Sequence, residues 1–326
     1  MRNRTTGLAA ATLGLALLAT GCGLESGGGG SSLDVEAGSI PTFEELEGQT
    51  IKVGSKELTE QLILGQIAVQ ALSAAGADVQ DETNIAGSEN ARRAMLNGDI
   101  DLMWEYTGTA WLIYEGQEEV IKDPRKQYEA IRDRDLEEND MVWLDPPAPM
   151  NNTYALVVTP ETAEKYDLEG ISDFLEIPED ERSLCVDTEY HDRSDGLAQT
   201  REDYGISTKD LPNDDVQTMD SGVVYTSVSE GKCAVGSAYS TDGRIKALGL
   251  KMLEDDKNVF PIYNPAITVK KDFNEKYPML EEIFGPIAEK LDTETVTELN
   301  AQADQEGDDP ATVAREWLTK EGFLKE

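Results

Sequence analysis

Polar and apolar positions recur in one order at two distant places along the chain. A helix-like stretch at residues 88–97 ends at Gly98. A short apolar run then leads to Tyr106 and the small polar turn Thr107-Gly108-Thr109. The succession returns with a helix-like stretch at 220–230, then Gly231, an apolar run, and Tyr239-Ser240-Thr241. The glycine-to-tyrosine spacing is the same in both copies. Runs this short and apolar read as buried strands. The pattern predicts two similar lobes, each offering a tyrosine at the mouth of a parallel sheet, where open α/β sheets bind ligands. Helix-glycine-strand units are common in α/β chains, so on the pattern alone a chance recurrence is an equal reading.

The remaining elements fit around these two units. Ile51-Lys52-Val53 begins a first strand that runs into Gly54-Ser55-Lys56. Thr59 reads as the N-cap of a helix carrying Leu62, Ile63, Val69 and Leu72 on one face. A strand is expected over 79–85, a helix over 110–114 and a charged amphipathic helix over 128–139. The proline-rich stretch Pro146-Pro147-Ala148-Pro149 then leads through Asn151-Asn152-Thr153-Tyr154 into a β-rich run, a crossing into the second lobe. There Leu184-Cys185-Val186 restarts the pattern, and Arg193 is expected to follow its strand as Lys56 follows the first. Residues 259–265 and the strand after them read as the return crossing. Helices complete the first lobe, one of them starting at Asp309-Pro310, an acid cap before a proline at the first helical position. The expected layout is α/β and two-lobed. Lobe one comprises 49–152 plus 260–326, lobe two 153–259, with a hinge and a cleft between them.

The N-terminus adds an address. Arg2 and Arg4, the apolar run 8–19 and the small residues before Cys22 have the form of a secretory signal. The run is too short for an ordinary membrane-spanning helix. Leu18-Ala19-Thr20-Gly21-Cys22 resembles a bacterial lipobox, which would make Cys22 the lipid-bearing first residue after removal of 1–21 and give stable anchoring. The Gly/Ser-rich stretch 23–32 is a flexible tether, and 22–48 is expected as lipidated cysteine and linker. Localisation is then outside the cytoplasm, on the bacterial cell membrane.

Composition narrows the partners. The net charge is −37, and losing 1–21 removes two arginines and no acid. Nucleic acid is therefore not an expected partner. Cys185 and Cys233 form an even pair, and outside the cytoplasm a disulfide between neighbouring strands of lobe two is expected. It would stabilise by roughly 4 kcal/mol on the chain-entropy account, itself disputed. With one histidine, His191, no metal site is expected, nor any cofactor. There is no Gly-x-Ser-x-Gly elbow, Walker loop, Gly-x-Gly-x-x-Gly or His-Glu-x-x-His. Asp195-Gly196 with Glu202 imitates half an EF-hand loop, but His191 and Arg193 stand where its acids should begin. His191 reads as an exposed turn residue.

The tyrosines carry the functional reading. Tyr106 and Tyr239 end equivalent strands, and Tyr154 and Tyr263 sit at the two crossings, so all four can face one cleft beside Lys56 and Arg193. Any one of them alone is better explained as an ordinary core or surface residue. Gly54-Ser55-Lys56-Glu57-Leu58-Thr59-Glu60-Gln61, Glu105-Tyr106-Thr107-Gly108-Thr109, Arg193-x-Asp195-Gly196 and Tyr239-Ser240-Thr241-Asp242-Gly243-Arg244 closely resemble the substrate-binding proteins of osmoprotectant ABC importers. The resemblance covers roughly residues 50 to 326. It implies a periplasmic-binding-protein fold of type II form and capture of glycine betaine, choline, carnitine or a related compound. It also implies delivery to an ABC permease with its ATPase, by a monomer that is not an enzyme.

By that similarity the aromatic box is Tyr106, Tyr154, Tyr239 and Tyr263, with Asn152 placing a backbone carbonyl near the methyl groups. Lys56, Thr109 and Arg193 match the positions that hold a betaine carboxylate, and Ser88 and Gln61 border the pocket. A quaternary ammonium has no N–H to donate, so ring faces must hold it. One departure is His191-Asp192 after Tyr190, where the family often has a phenylalanine-like residue. A second acid there would favour a bare cation such as choline, whereas Lys56 with Arg193 tilts the reading toward a ligand that bears a carboxylate. Three rivals stand beside this reading: a receptor for another small solute such as an amino acid, an extracytoplasmic enzyme on the same scaffold, and a sensor or scaffold protein that has lost transport.

Overall fold

The computed structural model describes residues 35–117 and 120–326. The signal segment, Cys22 and the glycine-rich tether lie outside the described residues.

Among the described residues, ten strands form two five-stranded sheets. They are β1 (Thr50–Lys56), β2 (Asp78–Ile85), β3 (Leu102–Tyr106), β4 (Met141–Trp143), β5 (Tyr154–Val158), β6 (Leu184–Val186), β7 (Val216–Thr218), β8 (Val235–Tyr239), β9 (Lys251–Met252) and β10 (Pro265–Lys270). One sheet is ordered β2-β1-β3-β10-β4, the other β7-β6-β8-β5-β9. In each, three strands run parallel and the fourth, arriving from a crossing between lobes, is antiparallel to the tyrosine-ending strand. The sheets are therefore mixed rather than parallel. The crossing strands β5 and β10 are what reverse the direction.

The repeated unit is real in backbone terms. Helices Ser88–Asn97 and Ser221–Ser229 precede Gly98 (φ 79°) and Gly231 (φ 72°). Both glycines adopt the left-handed conformation that turns a helix end into the next strand. Tyr106 and Tyr239 are the last residues of β3 and β8.

Several local expectations are corrected. Thr59 is the first helical residue of Thr59–Ala75, after Leu58 at the cap, and its hydroxyl donates to Asp304 at 2.8 Å. Arg193 does not follow β6 as Lys56 ends β1, because a short helix, Thr188–Asp192, intervenes and Asp187 caps it. Cys233 lies two residues ahead of β8 rather than on it. It is bonded to Cys185 on β6, with Cα atoms 5.8 Å apart.

The stretch before β1 is fastened to the body. Ala37 bridges Leu324, the Phe43 amide donates to the Ala75 carbonyl, and Leu46 is fully buried.

The first lobe's core forms around the Thr59–Ala75 helix, which packs on β1 and β2 and against the C-terminal helix Pro310–Lys320. That last helix starts as expected, the Asp309 side chain accepting from the Ala311 amide. The two crossings run side by side. Tyr263 N–H donates to Asn151 Oδ1 at 2.8 Å, Asn152 N–H to the Tyr263 carbonyl at 3.3 Å, and Thr153 Oγ1 to the Pro261 carbonyl at 3.0 Å. Paired extended segments of this kind are where a two-lobed molecule absorbs hinge rotation.

Candidate functional site

Strand ends and crossings bring the four tyrosines together. Tyr154, first in β5, pairs in register with Tyr239, last in β8. Its ring meets Tyr239 at 5.6 Å and Tyr263 at 5.8 Å between centroids, and Tyr190 buttresses it edge-on at 5.1 Å. Tyr106 comes from the other sheet. All four line one narrow cavity, together with Lys56, Ser88, Thr109, Asn152 and Arg193. Of the residues expected from sequence, Gln61 alone does not line it: it is buried, accepts from the Lys56 amide at 3.3 Å and stands behind the Tyr106 hydroxyl. Leu58 and Glu189 line the cavity too, and sequence reasoning did not single them out.

The cations are already engaged. Lys56 Nζ is ion-paired with buried Glu105 at 2.7 Å and lies 5.2 Å from the Tyr106 ring centroid. Arg193 grips Asp195 with Nε at 2.9 Å and Nη2 at 2.5 Å, and sits 5.7 Å from the Tyr154 ring. It also reaches Ser88 Oγ and Thr109 Oγ1, each at 3.4 Å.

Glu189, on the second lobe, takes Ser88 N–H at 2.8 Å and Ser88 Oγ at 3.1 Å from the first, and lies 3.3 Å from Arg193. A side-chain carboxylate of the protein thus occupies the corner between Ser88 and Arg193. Burial pushes Glu189 up, but Lys56, Arg193 and the Ser88 amide outweigh it, and its pKa falls below the usual glutamate value. The acid that sequence reasoning placed near the cleft, Asp192, is instead exposed and pairs with His191. Glu189 lines the cavity, and Asp195 stands behind it against Arg193 and the Tyr263 hydroxyl.

A wider cleft shares Leu58, Asn152, Glu189 and Tyr239 with the cavity and is rich in acids, among them Glu60, Asp187, Asp242 and Asp304. Glu60 is fully buried between the lobes. It accepts from Tyr106 Oη at 2.6 Å, Asn152 Nδ2 at 2.8 Å, Asn300 Nδ2 at 3.0 Å and Thr241 Oγ1.

A mixed α/β molecule whose two sheets meet at paired crossings, with aromatic rings from both around one cavity, is a two-lobed solute-binding protein. Residues 49–320 match the OpuAC family, described as the substrate binding domain of ABC-type glycine betaine transport system. The chain belongs to that family, which is one of transporter solute-binding proteins rather than of enzymes. It is 35% identical over 286 residues to a protein of Pseudomonas aeruginosa named glycine-betaine-binding protein, covering 85% of this chain and 90% of that one. It is 32% identical over 298 residues to the carnitine transport binding protein OpuCC of Listeria monocytogenes, covering 90% and 94%. A solved structure titled glycine betaine/carnitine/choline ABC transporter superposes with a TM-score of 0.68 at 30% identity, over 84% of this chain and 99% of that one.

Proposed function

We propose that this protein captures a quaternary-ammonium osmoprotectant in the Tyr106, Tyr154, Tyr239 and Tyr263 cage and delivers it to an ABC permease with its ATPase. The observation that carries the reading is the convergence of four rings, from two sheets and both crossings, on one cavity. Each desolvated ring face contributes about 0.5–2 kcal/mol toward a methylated cation. Calorimetry with glycine betaine, choline, carnitine and proline betaine tests it. At least one is expected to bind, and Tyr154→Ala, which removes the ring touching two other cage members, to weaken it roughly tenfold or more. If none binds, the reading is abandoned.

A second reading concerns the ligand's other end. Glu189 holding Ser88 and Arg193 favours a cation without a carboxylate, such as choline. A betaine would have to displace Glu189 to reach Lys56, Thr109 and Arg193, where a charge-assisted bond is the stronger kind. Glu189→Gln should shift preference toward glycine betaine if the corner is otherwise blocked.

The N-terminal reading belongs with this proposal. Residues 1–21 are a lipoprotein signal, Cys22 carries lipid, and a linker to residue 48, fastened to the body from Ala37 onward, ties the receptor outside the cytoplasm. Lobes of 49–152 plus 260–326 and 153–259 act as one monomer. Mass spectrometry of the membrane-extracted protein checks the acylated Cys22.

A further inference from the structure

Three of the four cage tyrosines donate their hydroxyl to a carboxylate. Tyr106 Oη lies 2.6 Å from Glu60 Oε1, Tyr239 Oη 3.1 Å from Asp187 Oδ1, and Tyr263 Oη 2.7 Å from Asp195 Oδ2. The three acids come from separate places: the first turn of the Thr59–Ala75 helix, the residue after β6, and the turn beyond Arg193. Fixing a phenol in place needs only a neutral acceptor, a backbone carbonyl or an amide. A buried carboxylate is a costly choice for that task alone, and here it is made three times.

An O–H···O⁻ bond draws the phenolic proton toward the acid and returns electron density to the ring. The ring face is the part that attracts a cation. The carboxylate charge also acts directly through a dry medium of low effective dielectric.

We propose that Glu60 and Asp187, with Asp195 in a lesser part, are specificity-determining residues that make the tyrosine cage electronegative and so select a cation over a neutral molecule of the same shape. This rests on the cage reading above. Asp195 contributes less because Arg193 neutralises it. Glu60 contributes most, since its four hydrogen-bond donors include no cation. The buried phenols stay protonated, and thus remain donors: burial, then the charge of the acid beside each, raises Tyr106 and Tyr239 well above the usual tyrosine value.

The test compares each cation with its carbon isostere. Choline is paired with 3,3-dimethyl-1-butanol, and glycine betaine with 3,3-dimethylbutanoate. Kd values are measured for the wild-type protein, Glu60→Gln and Asp187→Asn. Glutamine keeps the length of Glu60 and an acceptor for Tyr106 and Asn152; the Thr241 hydroxyl can turn to accept from the new amide, and the lost bond from Asn300 weighs equally on cation and isostere.

The expected result is a loss of roughly tenfold in cation affinity in each variant, with isostere affinity changed less than about twofold. Equal losses for cation and isostere would show the acids to be merely structural and overturn the proposal. Unchanged cation affinity in folded variants would overturn it too. A wild-type protein that binds neither cation would sink the cage reading itself, an outcome distinct from both.

Discussion

Glu60 is a buried carboxylate that faces four donors and, among the described residues, no cation, and this gives the site a pH dependence of definite sign. Burial raises its pKa above the usual glutamate value; the bonds from Thr241, Tyr106, Asn300 and Asn152 pull it only part of the way back. Asp304 also feels Glu60: burial raises it, Arg244 pulls it down, and the like charges of Asp242 and Glu60 add to the rise. The anion under Tyr106 is therefore complete above the raised pKa and lost as pH falls through it. Cation affinity should decline there, before ordinary glutamates titrate, and a calorimetric pH series should show a smaller decline in Glu60→Gln, what remains belonging to Asp187, which burial also raises. A decline of equal size in the variant would assign the effect to another acid. For folding stability the sign is opposite. A raised carboxyl binds its proton more tightly folded than unfolded, so falling pH favours the fold through this group. Glu189, with its lowered pKa, contributes stability above the unfolded value that is lost as pH falls through the folded one. The four tyrosines were legible because strand ends and crossings are visible in apolar runs and proline. Their acid partners were not. Glu60 lies 46 residues from Tyr106 and Asp195 lies 68 from Tyr263, and no local pattern links such pairs in a chain with 65 acids.

At the level of elements, the motif Tyr106-Thr107-Gly108-Thr109 is explained by what lies against Gly108. A Cβ there would stand 2.6 Å from the Ile262 carbonyl and 2.7 Å from the Tyr263 ring. The turn after β3 thus touches the second crossing and sets the position of a cage ring. Gly108→Ala should push Tyr263 aside, costing about 1–3 kcal/mol in stability from overpacking and several-fold in ligand affinity. Thermal melts and calorimetry on the same preparation separate the two effects. Wild-type affinity in that variant would mean that the contact does not govern the ring. The sequence pattern made these units visible because Gly98 and Gly231 each end a helix with a left-handed residue, a local requirement. It misjudged strand direction, since antiparallel pairing of β5 and β10 depends on which residues meet after a crossing. It also misplaced Arg193, because the Thr188–Asp192 helix is a single short turn with too few residues to show a period.

Closure of the whole molecule depends on how near the lobes come, and Gly243 measures this. It begins the helix Gly243–Ala247 of the second lobe, and that helix lies against Thr293–Ala301 of the first. An added Cβ would fall 2.5 Å from the Ala301 Cα and 2.7 Å from its nitrogen. These are backbone atoms, so no side chain can swing away to make room; the lobes themselves must separate. Beside this contact Arg244 approaches Asp304 at 3.5 Å and Gln305 donates to the Gly243 carbonyl. On the proposed reading the cage draws Tyr106 from one lobe and Tyr239 from the other; binding then requires closure, and apparent affinity scales with the fraction of closed molecules. Gly243→Ala is expected to disfavour the closed form enough to weaken ligand roughly tenfold, equivalent to about 1.4 kcal/mol. It is also expected to reduce the ligand-induced contraction seen by small-angle scattering. Ala301→Gly should not restore binding, because it removes a methyl group and leaves the clashing backbone. Each lobe's own core is untouched by the change, so the melting temperature without ligand should stay near that of the wild type. If Gly243→Ala contracts and binds as the wild type does, the lobes close along a different path from the one these contacts define.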